Sequence, residues 1–331
     1  MCKKVRGSLR TLAITALLST SAFVWAQSAA LPQTSLNLKT DPRFRLLRPP
    51  SIAPAAASLS SPALAKPVGF ALAHVYQFSS IDYPAASTNL VTGNAVGTAV
   101  GVYGYSGGAS ISFKYKGGVY STYSIPGEVL AFLFDINSVG QLAGTYQDSS
   151  SVFHGFIDTA GVITTIDFPG ANATELTGIN TAGDAVGIWV DSSSVNHGFA
   201  YQGGTYTSLD PPGSTFTQAA GINASGEVVG IYDDAGSVQH GFIYKAGLYN
   251  QLDFPLAMST TAFGVNDAGQ ISGSYTDAAG VTHGFLNSKG NFITVDVVGG
   301  KGTQLTHIPN KGQFGGAVTD QSGEIHGITG H

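Results

Sequence analysis

The tripeptide His-Gly-Phe begins at His154, His197, His240 and His283, and His-Gly-Ile begins at His326, each 43 residues after the last. No insertion interrupts the spacing. A chain with that regularity copies one supersecondary unit in series, because a single unit buries its apolar face only against its neighbours.

Other landmarks keep the same period. An aspartate precedes a turn at Asp167, Asp210, Asp253 and Asp296, followed in two copies by Phe-Pro. An Asn-x-x-Gly turn starts at Asn94, Asn137, Asn180, Asn223 and Asn266 and degenerates at 309–312. Four residues past each turn comes a second glycine, at Gly101, Gly144, Gly187, Gly230, Gly273 and Gly316. Tyr103, Tyr146, Trp189, Tyr232 and Tyr275 follow, and Asp148, Asp191, Asp234, Asp277 and Asp320 close the unit.

The unit that starts at His240 contains apolar and β-branched runs at 240–245, 248–254, 261–266 and 270–276, each too short for a helix. The breaks between them are turn chemistry: Ala246-Gly247, Pro255, and Asn266-Asp267-Ala268-Gly269. Four short antiparallel strands in about 40–45 residues are the mark of a propeller blade. The glycines count six copies, and residues 74–331 span 258 positions, six periods. The expected fold is therefore all-β, a six-bladed β-propeller of four-stranded blades whose ring is closed by a terminal strand. Residues 324–330 repeat the His-Gly-Phe run as an orphan at the C-terminus and could close it; Val68-Gly69-Phe70 also falls on the period.

Ahead of the repeats, residues 1–26 carry Lys3, Lys4, Arg6 and Arg10, then an apolar run and the small-residue site Val24-Trp25-Ala26. This pattern predicts a secretory signal peptide and a secreted or periplasmic protein. Residues 27–66 read as a Pro, Ala and Ser-rich disordered linker, and 67–331 as the propeller. Cys2 is the only cysteine and falls in the signal, so neither disulfide nor thiol chemistry is expected. From residue 67 onward, six lysines and no arginine stand against nineteen acidic residues, a net −13. That balance disfavours nucleic acid, whose phosphates are bound by Lys and Arg, and disfavours anionic membranes. No integral membrane segment is expected after signal removal. A polar ligand, a glycan or a protein remains as partner.

Five periodic histidines could ring a metal. A residue repeated in every blade is better read as serving every blade, for example by hydrogen-bonding a neighbouring loop or one of the periodic aspartates, so no metal and no cofactor are expected. Asp148, Asp191, Asp234, Asp277 and Asp320 read as turn caps, since no calcium-loop spacing accompanies them, and the periodic aromatics read as inter-blade packing. No nucleophile elbow, zinc-protease motif or phosphate loop occurs. Glu128, Glu175, Glu227 and Glu324 are the only glutamates after residue 66.

The place to expect a ligand is the connection between the second and third strands, where side chains vary on a constant frame. It holds Thr174, Glu175, Thr217, Gln218, Thr260, Thr303 and Gln304, with His307 off the period; the alternative for the threonines is that they finish the turn by bonding backbone groups. A non-enzymatic binding module is the expected function; the alternative is a propeller enzyme acting on polysaccharide or another polar polymer, with Glu175 as acid.

Several features together, His-Gly-Phe-Ile, Asp-Phe-Pro-Gly-Ala at 167–171, Gly-Ile-Asn at 178–180 and the Gly-x-x-Val-Gly-x-Tyr/Trp-x-Asp that follows, resemble the bacterial extracellular HAF repeat over about residues 75–331. Here His-Gly-Phe stands where that repeat has His-Ala-Phe. The resemblance implies an exported repeat protein and carries over no catalytic residue.

Overall fold

The structure, a computed structural model, is described for residues 76–330 apart from 84, 85, 87, 96, 105–109, 312 and 313. Among the described residues there are twenty-four strands and no helix. In the third blade, Ala173–Ile179, Ala185–Val190, Asn196–Gln202 and Thr205–Leu209 lie side by side in chain order, all antiparallel. The pattern recurs in blades 1, 2, 4 and 5. The first strands of the six blades, Thr88–Ala95, Leu130–Ile136, Ala173–Ile179, Phe216–Ile222, Ser259–Val265 and Gly302–His307, meet their successors all the way round, the last against the first. The molecule is a six-bladed β-propeller.

Two details correct the sequence reading. The blade begins at the strand leading into Gly-Ile-Asn, so the His-Gly-Phe strand is the third of its blade rather than the first. The last strand, Ile325–Gly330, is accordingly the third of blade 6 and no orphan. Its outer partner is Phe78–Ser80 from the N-terminal side, paired antiparallel as Phe78 with Gly330 and Ser80 with Ile328. Closure therefore joins both ends of the repeat in one blade; Val68-Gly69-Phe70, like the signal and linker segments, lies outside the described residues.

The core is a series of small clusters between neighbouring blades. Ala143, Ile157 and Ile166 of blade 2 pack on Leu176, Ile179, Ala185 and Phe199 of blade 3, all buried. Burying each large side chain contributes roughly 1.5–3 kcal/mol. The His-Gly-Phe phenylalanines, Phe156, Phe199, Phe242 and Phe285, are inaccessible to solvent or nearly so. Glycine is required beneath them. A Cβ at Gly144 would sit 1.9 Å from the Phe132 carbonyl oxygen and 3.0 Å from the Phe156 ring; at Gly230 the distances are 2.1 Å to Gln218 and 2.7 Å to Phe242.

The Asn-x-x-Gly turns join the ring. In blades 2 to 5 each Asn Oδ1 accepts amides of its own turn, as Asn180 does from Ala182 and Asp184. Each Nδ2 donates to the carbonyl of the equivalent residue one blade on: Asn137 to Asn180 at 2.8 Å, Asn180 to Asn223 at 3.1 Å and Asn223 to Asn266 at 3.1 Å. One side chain thus caps a turn and staples two blades.

Candidate functional site

The first strands carry a bulge one step before each Asn-x-x-Gly turn, and it puts a single residue of every blade at the throat of the ring. In register these residues are Gly93, Asp135, Gly178, Gly221, Gly264 and His307. Four are glycine because the neighbouring backbone leaves no room: a Cβ at Gly178 would lie 2.7 Å from the Ala220 carbonyl, and at Gly221 2.7 Å from that of Phe263. Two positions break the rule, and they flank Gly93.

Asp135 and His307 meet across that gap, His307 Nδ1 lying 3.3 Å from Asp135 Oδ1. A Cβ on Gly93 would come within 2.8 Å of the same oxygen, so the small residue in blade 1 makes space for the pair. Asp135 is buried, and its Oδ2 accepts the Ile179 amide at 3.0 Å while Oδ1 accepts the Ile136 amide at 2.8 Å. His307 Nε2 is buried without a hydrogen-bond partner. Blades 6, 2 and 3 are thereby linked through two side chains, past the gap that Gly93 leaves in blade 1.

The pair lines a cavity of about 480 Å³, within the range of small-molecule sites. Its wall includes Thr92, Thr177, Ile179, Phe263 and Thr306, and its rim Ser138, Thr181, Asp267, Asn310 and Lys311. The wall threonines are committed: Thr92 donates to the Leu133 carbonyl and Thr177 to that of Ala219, each in the next blade. Thr306 does the same to Val91, closing blade 6 on blade 1. Their lone pairs remain able to accept from a ligand.

The residues singled out by sequence fall elsewhere, with one exception. Thr174, Thr217, Thr260 and Thr303 open the first strands and are buried. Thr174 Oγ1 accepts the Phe168 amide, Thr260 that of Phe254 and Thr303 that of Val297, so they finish the inter-blade linker. Thr217 bonds Ser214. Glu175 and Gln218 are buried beside them. The expected exposed face of hydroxyl and amide groups is absent, because this stretch is the start of the inner strand and faces neighbouring blades. Gln304 reaches a second cavity of about 400 Å³, with Lys301, Thr282 and Thr319. Only His307 reaches the throat, from the opposite end of the strand. Asp135 was missed, although the sequence carried a signal: Asp135-Ile136-Asn137 stands where the next copies read Gly-Ile-Asn.

The periodic histidines form a different array, one unit to a blade. His154 Nδ1 is 2.8 Å from Asp167, His197 3.1 Å from Asp210, His240 3.0 Å from Asp253 and His283 2.7 Å from Asp296. Nε2 faces the turn aspartate: Asp148, Asp191, Asp234 and Asp277 lie at 3.4–3.7 Å. Those aspartates also cap their turns, as Asp148 does for the Ser150 and Val152 amides. The same bonds hold their carboxyls below the ordinary aspartate range, the Val152, Val195, Val238 and Val281 amides contributing most. The aromatic stacks on the histidine directly across the strand pair, with Trp189 at 4.5 Å from His197 and Tyr275 at 5.0 Å from His283. Linker aromatics add the inter-blade contact, Phe168 on Trp189 and Phe254 on Tyr275. Where blade 1 lacks the histidine, with Ile111 in its place, it also lacks both aspartates, with Tyr105 and Ser124.

No family model matches the chain, and no curated protein matches it. Solved structures do. A triple arginine-to-alanine mutant of AofleA from Arthrobotrys oligospora is 13% identical, with a TM-score of 0.48 over 76% of this chain and 86% of that one. The fucose-specific lectin from Aleuria aurantia is 10% identical, with a TM-score of 0.47 over 74% and 93%. A putative TolB from Agrobacterium tumefaciens is 10% identical, with a TM-score of 0.48 over 70% and 86%. At such identities the likeness is one of fold.

Proposed function

We propose that the chain is an exported, non-enzymatic binding module of HAF-repeat type that takes a small neutral polar ligand, of the sugar class, in the throat cavity. The observation that carries this reading is the break in the ring: four equivalent positions are glycine, and the two that are not place Asp135 and His307 together in the lining of the cavity. A scaffold that needed only packing would repeat the glycine. The pair instead lines the cavity with a carboxylate held by two backbone amides and an imidazole whose Nε2 is buried and without a partner inside the protein, and the threonine oxygens around it can accept hydroxyl protons. Apolar contact from Ile179 and Phe263 completes a pocket suited to one face of a sugar ring.

The rival enzyme reading draws on one observation, the Glu175 carboxyl, which burial raises to about 8, a value that would keep an acid protonated. Glu175 is only 4% exposed, however, and it lines neither cavity. Calorimetric titration of neutral mono- and disaccharides separates the readings. Binding that falls at least tenfold in both His307→Gln and Asp135→Asn, and is unchanged in Glu175→Gln, supports the module. A saccharide bound equally by wild type and both throat variants would remove the site. Glycan turnover abolished by Glu175→Gln would replace the module by the hydrolase.

A further inference from the structure

The five histidine units are controls for one another, and blade 6 departs from the rest. Four residues after the turn aspartate, blades 2 to 5 carry Val152, Val195, Val238 and Val281; blade 6 carries Glu324. A third ligand-bearing group thereby joins the unit. Single donor atoms of Asp320, Glu324 and His326 all lie within 4.8 Å of one another.

The histidine itself differs too. His154, His197, His240 and His283 are half-buried, whereas His326 is only 5% exposed. Its Nδ1 is 3.2 Å from Asp82, the N-terminal counterpart of the linker aspartates. Its Nε2 is buried without a hydrogen-bond partner and faces Asp320 Oδ2 at 3.7 Å. Asp320 Oδ1 is taken by the amides of Ser322, Gly323 and Glu324 and by the Ser322 hydroxyl, so Oδ2 is the oxygen left to act. A buried imidazole nitrogen with no partner, set among carboxylates, is costly unless a cation completes it.

We propose that Asp320, Glu324 and His326 form a binding site for a divalent transition metal of the zinc class. One imidazole nitrogen and two carboxylate oxygens suit a borderline cation; calcium and magnesium prefer all-oxygen sets, and no thiolate is present to select copper(I). Ligands about 2.0–2.2 Å from a tetrahedral zinc sit roughly 3.4 Å apart, so rotation of the two carboxylates closes the observed spacing. Asp82 acts from outside the ligand set: by accepting from Nδ1 it fixes the tautomer that turns the Nε2 lone pair toward the metal. The site lies where the ring closes. Its ligands sit on and beside the C-terminal strand, and its supporting carboxylate follows the N-terminal strand paired with it. Metal uptake would therefore clamp the closure of the propeller.

Zinc is titrated into metal-free full-length chain against a competing chromophoric chelator, with melting followed in parallel. One equivalent should bind and raise the melting temperature. Glu324→Val, which installs the residue of the four sister blades, should keep the fold and weaken zinc binding at least tenfold, and His326→Gln should do so in a second background. Absence of zinc uptake by the wild-type chain at millimolar metal overturns the proposal. Uptake that survives Glu324→Val and His326→Gln overturns it as well, because the metal then sits elsewhere.

Discussion

Burial raises the Glu175 carboxyl to about 8, against 4.5 for an ordinary glutamate, so the fold favours its neutral form. A folded-state value above the unfolded one gives a contribution that is complete below about 4.5 and lost as pH rises through about 8. Glu175→Gln should accordingly leave stability unchanged at pH 4 and raise it at pH 9, by on the order of 4 kcal/mol. Urea midpoints at the two pH values measure this, and a loss of stability at pH 9 would contradict it. His283 behaves in the opposite chemical sense: burial lowers it, but hydrogen bonds and charge from Asp296 and Asp277 outweigh burial and raise it. The protonated imidazole therefore stabilises the fold below about 6.5, and that support fades as pH rises through its folded value. Asp277, held low chiefly by the Val281 amide, withdraws its support only in acid, as pH falls through its own folded value. His283→Gln should cost about 1 kcal/mol at pH 6, given the partial exposure of the pair, and flatten the decline between pH 6 and 9. A variant with the wild-type pH profile would show that the unit is electrostatically idle.

Within a blade, the first two strands depend on a glycine under the phenylalanine of the third. Gly230→Ala would drive a methyl group to 2.1 Å from a backbone oxygen and 2.7 Å from the Phe242 ring. Backbone cannot yield as a side-chain tip can, so a destabilisation of about 3 kcal/mol or more is expected. Gly302→Ala is the comparison: its nearest atom would be at 3.4 Å, and its melting temperature should stay within a few degrees of wild type. Asn180→Ala probes the turn instead. It removes a cap and an inter-blade bond together, and a loss of about 2 kcal/mol in chemical denaturation is expected.

For the whole ring, three backbone pairs between Phe78–Ser80 and Ile325–Gly330 complete the last blade. A chain that starts after Asp82 loses that strand and the His326 partner, and exposes the edge of Ile325–Gly330 to other molecules. Compared with a chain starting at residue 76, it should melt lower and form oligomers on size exclusion with light scattering. A monomer of unchanged melting temperature would show the strand to be dispensable. Among the described residues no helix is long and apolar enough to cross a membrane.

The repeat made the architecture legible: period, strand count, turn glycines and blade number follow from local chemistry, and local chemistry is written in sequence. That each periodic histidine has a repeated structural partner was legible for the same reason, and the structure selects the aspartate over a neighbouring loop. The phase of the blade was not, because a cyclic repeat can be cut at any strand and only side-by-side packing shows which strand lies innermost. That error put Glu175 and Gln218 on an imagined surface instead of in the contacts between blades, whereas Thr174 bonds the backbone of the linker, as the alternative reading of the threonines has it. The throat pair and the blade 6 cluster belong wholly to tertiary structure. Asp135 and His307 are separated by four blades in the chain, and Asp82 and His326 by nearly the whole ring, so only closure of the circle brings them within bonding distance.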